Sequence, residues 1–193
     1  MVSNLQSGGN IGRIVRSASI FGATAVLVVG QRKWRLSGDH GSRFDIQQRH
    51  FYSHEEVRGY LKSAAGGVKI WGVEIAEDAA PLMRFDRSTG TASLPFNGPA
   101  AFVLGNEGAG LSERQRAIVD ECLYIPQSRG GGGSASLNVA CAAAIVLHAY
   151  ATWAGYGEAA RDGEKFSLNG APPAPNTGAP FQTPAGAAPD CAA

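Results

Sequence analysis

Short apolar runs alternate with stretches of helical periodicity from Ala25 to Tyr156, and this alternation limits the possible folds more than any other feature. The run AVLVV at 25–29 reads as a fully buried strand closed by Gly30. Further strands are predicted at 68–75, at 101–104 (AFVL) and at 122–125 (CLYI), the last stopped by Pro126. Between them lie helical patterns. Ile11, Ile14, Val15, Ala18 and Phe21 form one stripe, which Gly22 ends. Ser53 is a candidate N-cap for a helix over 54–65, with Glu55 and Glu56 in its first turn. Ser112 caps a helix through Val119, and residues 137–156 form a long Ala-rich helix. Strands alternating with helices predict an α/β fold with a mostly parallel sheet and helices on both faces. Ligands in such folds sit beyond the carboxyl ends of the strands.

Composition changes after Leu168, and residues 169–193 are dominated by Ala, Pro and Gly. A segment of this kind cannot bury enough apolar area to offset its ordering entropy, so residues 1–168 are expected to form the domain and 169–193 a disordered tail. The chain has 193 residues, enough for one ordinary domain, and is 44% hydrophobic, which excludes wholesale disorder. No apolar run is long enough to cross a bilayer, and the first residues carry no signal-peptide pattern. Cys122, Cys141 and Cys191 are odd in number and lack C-x-x-C spacing, so buried reduced thiols and an intracellular setting are expected at 122 and 141.

Three glycine-rich turns then stand out. They are 7–13 (SGGNIGR), 104–110 (LGNEGAG) and 130–138 (GGGGSASLN). Glycine lets backbone approach a ligand closely, and a helix that follows offers free N–H groups. Three such turns near successive strand ends would line one crevice, which points to a nucleotide-like ligand. The P-loop signature is missing, and so is the dinucleotide fingerprint G-x-G-x-x-G with its acidic residue downstream. Neutral, backbone-rich loops suit an adenosine moiety without a polyphosphate.

Other constellations carry less. His50 and His54 are four apart but lack the Glu of H-E-x-x-H and a nearby third ligand, so strand-edge and cap positions are expected and no metal. His148 reads as a helix-packing histidine, and Trp34, Trp71 and Trp153 as packing residues. No G-x-S-x-G is present. The net charge is only +1, yet Arg13, Arg16, Arg32, Lys33, Arg35, Arg43 and Arg49 face only Asp39 and Asp45 over that stretch. A solvated surface and a phosphate-binding patch both fit this bias; Trp34, Phe44 and Phe51, interleaved with it, add weight to RNA.

The three turns resemble, in order and spacing, the motifs of the SpoU (TrmH-like) RNA 2′-O-methyltransferases of the knotted SPOUT superfamily. The first is NIGRIVRSA at 10–18 with FGA at 21–23, the second VLGNEGAGLS at 103–112, and the third IPQ at 125–127 with SLNVA at 136–140. The likeness covers residues 2–156, and the surroundings look most like the short eukaryotic and plant members. It implies a C-terminal trefoil knot, a fold class that the usual rule against threaded loops treats as an exception. It also implies S-adenosylmethionine as cofactor, a homodimer, and methyl transfer to a ribose 2′-hydroxyl of tRNA or rRNA, with tRNA ahead. By the same resemblance Arg16 is the catalytic arginine, with Asn10, Glu107, Ser136 and Asn138 completing the site. Leu104, Gly105, Ile125 and Leu137 are the cofactor-binding positions. The first strand is short here, and the third turn carries the extra glycines 130–133. A catalytically silent RNA-binding adaptor on the same scaffold is the alternative that the short strand suggests; intact Arg16, Glu107 and Asn138 speak against it.

Overall fold

Val26 and Val28 point to one face of their strand and Leu27 and Val29 to the other, and all four are buried. A strand covered on both faces needs helices above and below it, and the computed structural model has that arrangement. Residues 1–3, 8–30, 37–64, 67–106, 108–128, 136–162 and 165–166 are described. In chain order the elements are β1 (Val2–Ser3), α1 (Gly8–Ile20), β2 (Ala25–Val29), a 3-10 turn at Ser42–Phe44, β3 (Gln47–Phe51), α2 (His54–Ser63) and β4 (Lys69–Val73). There follow β5 (Ala80–Pro81), β6 (Arg84–Asp86), β7 (Thr91–Ser93), β8 (Ala100–Leu104), α3 (Glu113–Arg116), β9 (Glu121–Tyr124), α4 (Val139–Trp153), β10 (Arg161–Asp162) and β11 (Lys165–Phe166).

One sheet has the order β1-β2-β3 and another β5-β9-β4-β8, with every neighbouring pair parallel. Met1 joins them edge to edge. Its amino group donates to the Phe102 carbonyl, and the Leu104 N–H donates to the Met1 carbonyl at 3.3 Å, the alternation expected of parallel neighbours. Burial pushes the Met1 amine down to about 5. Beyond Met1 the gap between β2 and β8 is an apolar cavity of 140 Å³, bordered by Ala25, Ala100, Phe102, Val146 and Tyr150.

α1 and α4 pack together on one face through Ile11, Ile14, Val15, Val139, Ala140 and Ala143. On the other face, Val57 and Leu61 of α2 and Ile118 just after α3 meet Leu27, Val29 and Val103. A third cluster joins Trp71, Phe96, Phe102, Leu123 and Val146. The mostly parallel α/β arrangement expected from the sequence is therefore present. The threading of a trefoil knot would involve residues 129–135, which lie outside the described residues, as do 167–193.

Several expectations need correction. The helix after Ser112 ends at Arg116, because Ile118 and Val119 turn into the core. Cys141 is exposed; only Cys122 is half-buried, its thiol pushed up first by burial and then by the charge of Asp78. Arg43 is not a free phosphate ligand. Its guanidinium makes a two-point contact with buried Asp39 at 2.5 and 2.7 Å, and this contact holds the Asp39 carboxyl down to about 2. Phe51 packs against Tyr60 within the core, so of the aromatics in the basic stretch that are described, Phe44 alone is openly exposed. Trp34, Arg32, Lys33 and Arg35 fall outside the described residues. His50 lies on β3, and His54 opens α2, as expected. His148 meets the edge of Phe21 at 5.3 Å. Among the described residues no helix is long and apolar enough to cross a membrane.

Candidate active site

Because β4, β8 and β9 run parallel in one sheet, the described residues that follow them lie at the same end of that sheet. The turn after β8 is the tightest. Asn106 and Gly110 exchange backbone hydrogen bonds of 2.9 and 3.0 Å, closing a small loop on Gly105. A Cβ on Gly105 would sit 2.6 Å from the Gly110 carbonyl carbon, so only glycine lets the loop fold back this far. Gln115 holds the strand end. It is 1% exposed, its Nε2 donates to the Leu104 carbonyl at 3.0 Å, and its Oε1 accepts from the Ser112 N–H at 2.8 Å. Ser112 and Gln115 thereby form a capping box at the start of α3.

The pocket beside this loop has a volume of 170 Å³. Leu104, Gly105, Ile125 and Leu137, the four expected cofactor positions, all line it, and Ser136 lies at its wall. Leu104 and Gly105 are buried, Ile125 is half-buried and Leu137 is 45% exposed. Asn106 also borders the pocket, and its Oδ1 is buried with no hydrogen-bond partner among the described residues. A buried acceptor without a donor is costly, which marks a place where a ligand's N–H or O–H belongs.

The first and third motifs meet beside this pocket. Asn138 is the N-cap of α4, accepting from the Ala140 N–H at 2.9 Å. Its amide Nδ2 donates to Oδ1 of Asn10 at 3.2 Å. Asn10 is 4% exposed and lies in the first turn of α1; Arg13 reaches the same oxygen at 3.5 Å. On α1, Gly12 lets the backbone at Ser37 pack close, since a Cβ there would fall 2.0 Å from the Ser37 carbonyl oxygen. Arg16 lies six residues on, about 120° around the helix from Asn10, on the solvent side of α1. Asn10 and Asn138 are thus in contact, with Ser136 two residues before Asn138 on the pocket wall; Arg16 is on the same helix as Asn10 but outside the lining. Glu107 lies outside the described residues.

Two residues of the site escaped the sequence reading. Gln115 reads as a surface helix residue, and only the capping-box spacing hints at it. Glu74, at the end of β4, lines the pocket and accepts from the Leu111 N–H at 2.7 Å. No motif announces it. Among the described residues no group of three or more His, Cys, Asp or Glu could hold a metal ion.

Comparison with known proteins bears on this arrangement. Residues 1–148 match the SpoU rRNA Methylase family. A protein of Mycobacterium sp. (strain KMS) described as an uncharacterized tRNA/rRNA methyltransferase is 31% identical over 154 residues, which are 76% of this chain and 43% of that one. The chain thus spans less than half the length of that relative. The SpoU methyltransferase AviRb from Streptomyces viridochromogenes, solved in complex with AdoMet, superposes with a TM-score of 0.64 at 29% identity, covering 80% of this chain and 59% of that one. An RNA 2′-O ribose methyltransferase structure superposes with a TM-score of 0.59 at 25% identity, covering 76% and 52%. With all three glycine-rich turns inside the matched span, and described residues of the second and third on the wall of one pocket, the chain belongs to the SpoU methylase family.

Proposed function

We propose that this chain transfers a methyl group from S-adenosylmethionine to a ribose 2′-hydroxyl of RNA, with tRNA ahead of rRNA as substrate. The observation that carries the reading is the Asn138–Asn10 hydrogen bond, which ties the arginine-bearing helix to α4, whose Val139 and Ala142 line a pocket together with Leu104, Gly105, Ile125 and Leu137. AviRb binds AdoMet on the same fold, and one of the superposed neighbours is a 2′-O ribose methyltransferase.

The pocket suits the cofactor chemically. Its walls are mostly apolar side chains and glycine backbone, fit for an adenine ring and a thioether-like chain, with Glu74, Asn106 and Ser136 as polar groups, and the loop closing on Gly105 leaves no room for a Cβ. The orphan Oδ1 of Asn106 offers an acceptor for a ligand donor. Bound S-adenosylmethionine supplies an electrophilic methyl group.

The residues of the chain supply positioning and charge. A ribose hydroxyl is a poor nucleophile, and its proton must leave as the new C–O bond forms. Arginine stays charged in proteins, so Arg16 is better cast as a clamp on the neighbouring phosphate that also stabilises the developing alkoxide. The proton then passes to solvent or to a phosphate oxygen. Asn10 and Asn138 fix the helix that carries Arg16, and Ser136 stands where it can bond the ribose. Glu107 is assigned a part in orienting Arg16 or the ribose by family resemblance.

A homodimer belongs to the same proposal. Cys141, Ile145 and His148 lie at successive helical spacings on α4 and are exposed, as is Ile20 at the end of α1. Two such faces can cover each other.

The test is transfer of labelled methyl from S-adenosylmethionine to unmodified tRNA and rRNA transcripts, followed by alkaline hydrolysis. A labelled dinucleotide that survives alkali is the expected result, because the methylated 2′-oxygen cannot attack its phosphate. Label released on mononucleotides would place the methyl on a base and overturn the ribose assignment.

A further inference from the structure

Glu74 is the one charged side chain among the described residues that line the pocket. It stands just past β4, and its side chain is 19% exposed. The carboxylate is held from two sides. Oε2 accepts from the Leu111 N–H at 2.7 Å, and Oε1 accepts from the Ile75 N–H at 3.2 Å. Gly110 presses against it, since a Cβ at that position would fall 2.1 Å from Oε2. Among the described residues the cation paired with it is the Arg116 guanidinium at 3.9 Å, too far for a hydrogen bond and itself half-exposed, so the negative charge is only partly offset. Two N–H donors fix its place without cancelling it.

A fixed negative charge in a mostly apolar pocket distinguishes ligands by charge more than by shape. We infer that Glu74 makes the pocket select the cationic methyl donor over the neutral thioether that remains after transfer. The inference rests on the pocket being the S-adenosylmethionine site. Donor and product share adenosine and the amino-acid group; they differ by one methyl and by the positive charge on sulfur. Any pull of the wall carboxylate on the shared ammonium cancels in the ratio of the two affinities, so its pull on the sulfonium is what remains, and it helps the spent product to leave. The Leu111 contact is a separate, structural duty, which would affect both ligands equally.

Calorimetry on the full chain decides between the two, with S-adenosylmethionine, S-adenosylhomocysteine and sinefungin, in which a carbon bearing a protonated amine replaces the methylated sulfonium. Glu74→Gln keeps an acceptor for the Leu111 N–H and removes the charge. The expected result is a loss of roughly tenfold for S-adenosylmethionine and sinefungin, the scale of one opposite-charge interaction at several ångströms in a half-buried site, with S-adenosylhomocysteine little changed. Glu74→Asp keeps the charge and shortens the reach, so it should weaken all three ligands while preserving their ratio. Equal losses for all three with Glu74→Gln would show a scaffolding role alone and overturn the inference. So would a ratio that collapses with Glu74→Asp, or Glu74→Gln binding like wild type. A folded wild-type chain that binds none of the three would instead remove the cofactor reading itself, and the inference with it.

Discussion

Asn138 and Asn10 are 128 residues apart in the chain and share a hydrogen bond of 3.2 Å at the junction of α1 and α4. The two groups of the Asn138 amide are divided between duties: the oxygen caps α4 and the nitrogen holds α1. Substitutions can therefore separate them. Asn138→Asp keeps a good N-cap acceptor but turns a carboxylate oxygen toward the Asn10 carbonyl oxygen. It should unfold within about 1 kcal/mol of wild type while losing at least tenfold in single-turnover methyl transfer. Asn138→Ala loses both duties and should cost about 1 kcal/mol more in stability. Urea unfolding and transfer rates on the pair check this; an Asp variant as active as wild type would show that the bond is incidental to the site.

Arg16 tests whether the chemistry can be separated from the cofactor. It sits on the solvent side of α1, away from the lining of the pocket. Arg16→Ala should keep S-adenosylmethionine affinity and lose roughly a hundredfold or more in transfer, the usual scale for a preorganised charged donor. Arg16→Lys should recover little, because an ammonium lacks the planar fork. Leu137→Ala, on the pocket wall, should weaken the cofactor first. Arg16→Ala turning over like wild type at saturating RNA would make Arg16 an ordinary surface residue.

The elements that bury a periodic stripe were legible in the sequence. The stripe Ile11, Ile14, Val15 and Ala18 is the buried side of α1, and AVLVV is a strand to the residue. β3 is legible only through the strand-edge reading of His50, because Gln47, Gln48 and Arg49 give an edge strand little apolar signal. The pocket wall was legible where glycine and apolar residues build it and illegible where polar side chains reach across the fold. Glu74 meets the backbone 37 residues onward and Gln115 turns back 11, and no local pattern encodes either contact.

Gln115 offers a stability test of the pocket rim. Gln115→Leu fills a similar volume but leaves the Leu104 carbonyl and the Ser112 N–H without their partner. Unsatisfied buried groups of this kind cost about 1–3 kcal/mol each, so urea unfolding should show at least ~1 kcal/mol lost. Because Leu104 is also a pocket wall, cofactor affinity should fall together with stability. A variant as stable as wild type would mean that solvent reaches the carbonyl.

The α1–α4 face tests the homodimer. Ile145 is 41% exposed at its centre, so Ile145→Arg should leave the monomer fold intact and place a charge within any self-interface. Sedimentation at micromolar concentration should show a dimer for wild type and a monomer for the variant. A wild-type monomer that still binds cofactor would remove the dimer from the proposal.

His54 gives the pH dependence. It opens α2 and is 9% exposed; burial lowers its pKa, Arg114 adds to the shift and Glu55 opposes it. The unfolded chain therefore binds a proton on this ring at a higher pH than the folded one does. Stability linked to His54 is fully present above its ordinary value of about 6.5 and is lost as the pH falls through the folded value. The depressed carboxyls Asp39, Glu55, Asp86 and Asp120 lose their contributions only at lower pH, below their ordinary values of about 4. Between pH 7.5 and 5 the histidine can thus be read separately from them. Glutamine at this position keeps a polar, hydrogen-bonding side chain that does not titrate. Wild type should lose more unfolding free energy than His54→Gln over that interval, by urea titration at each pH. Parallel losses in the two proteins would show that the ring keeps its ordinary affinity for protons in the folded state.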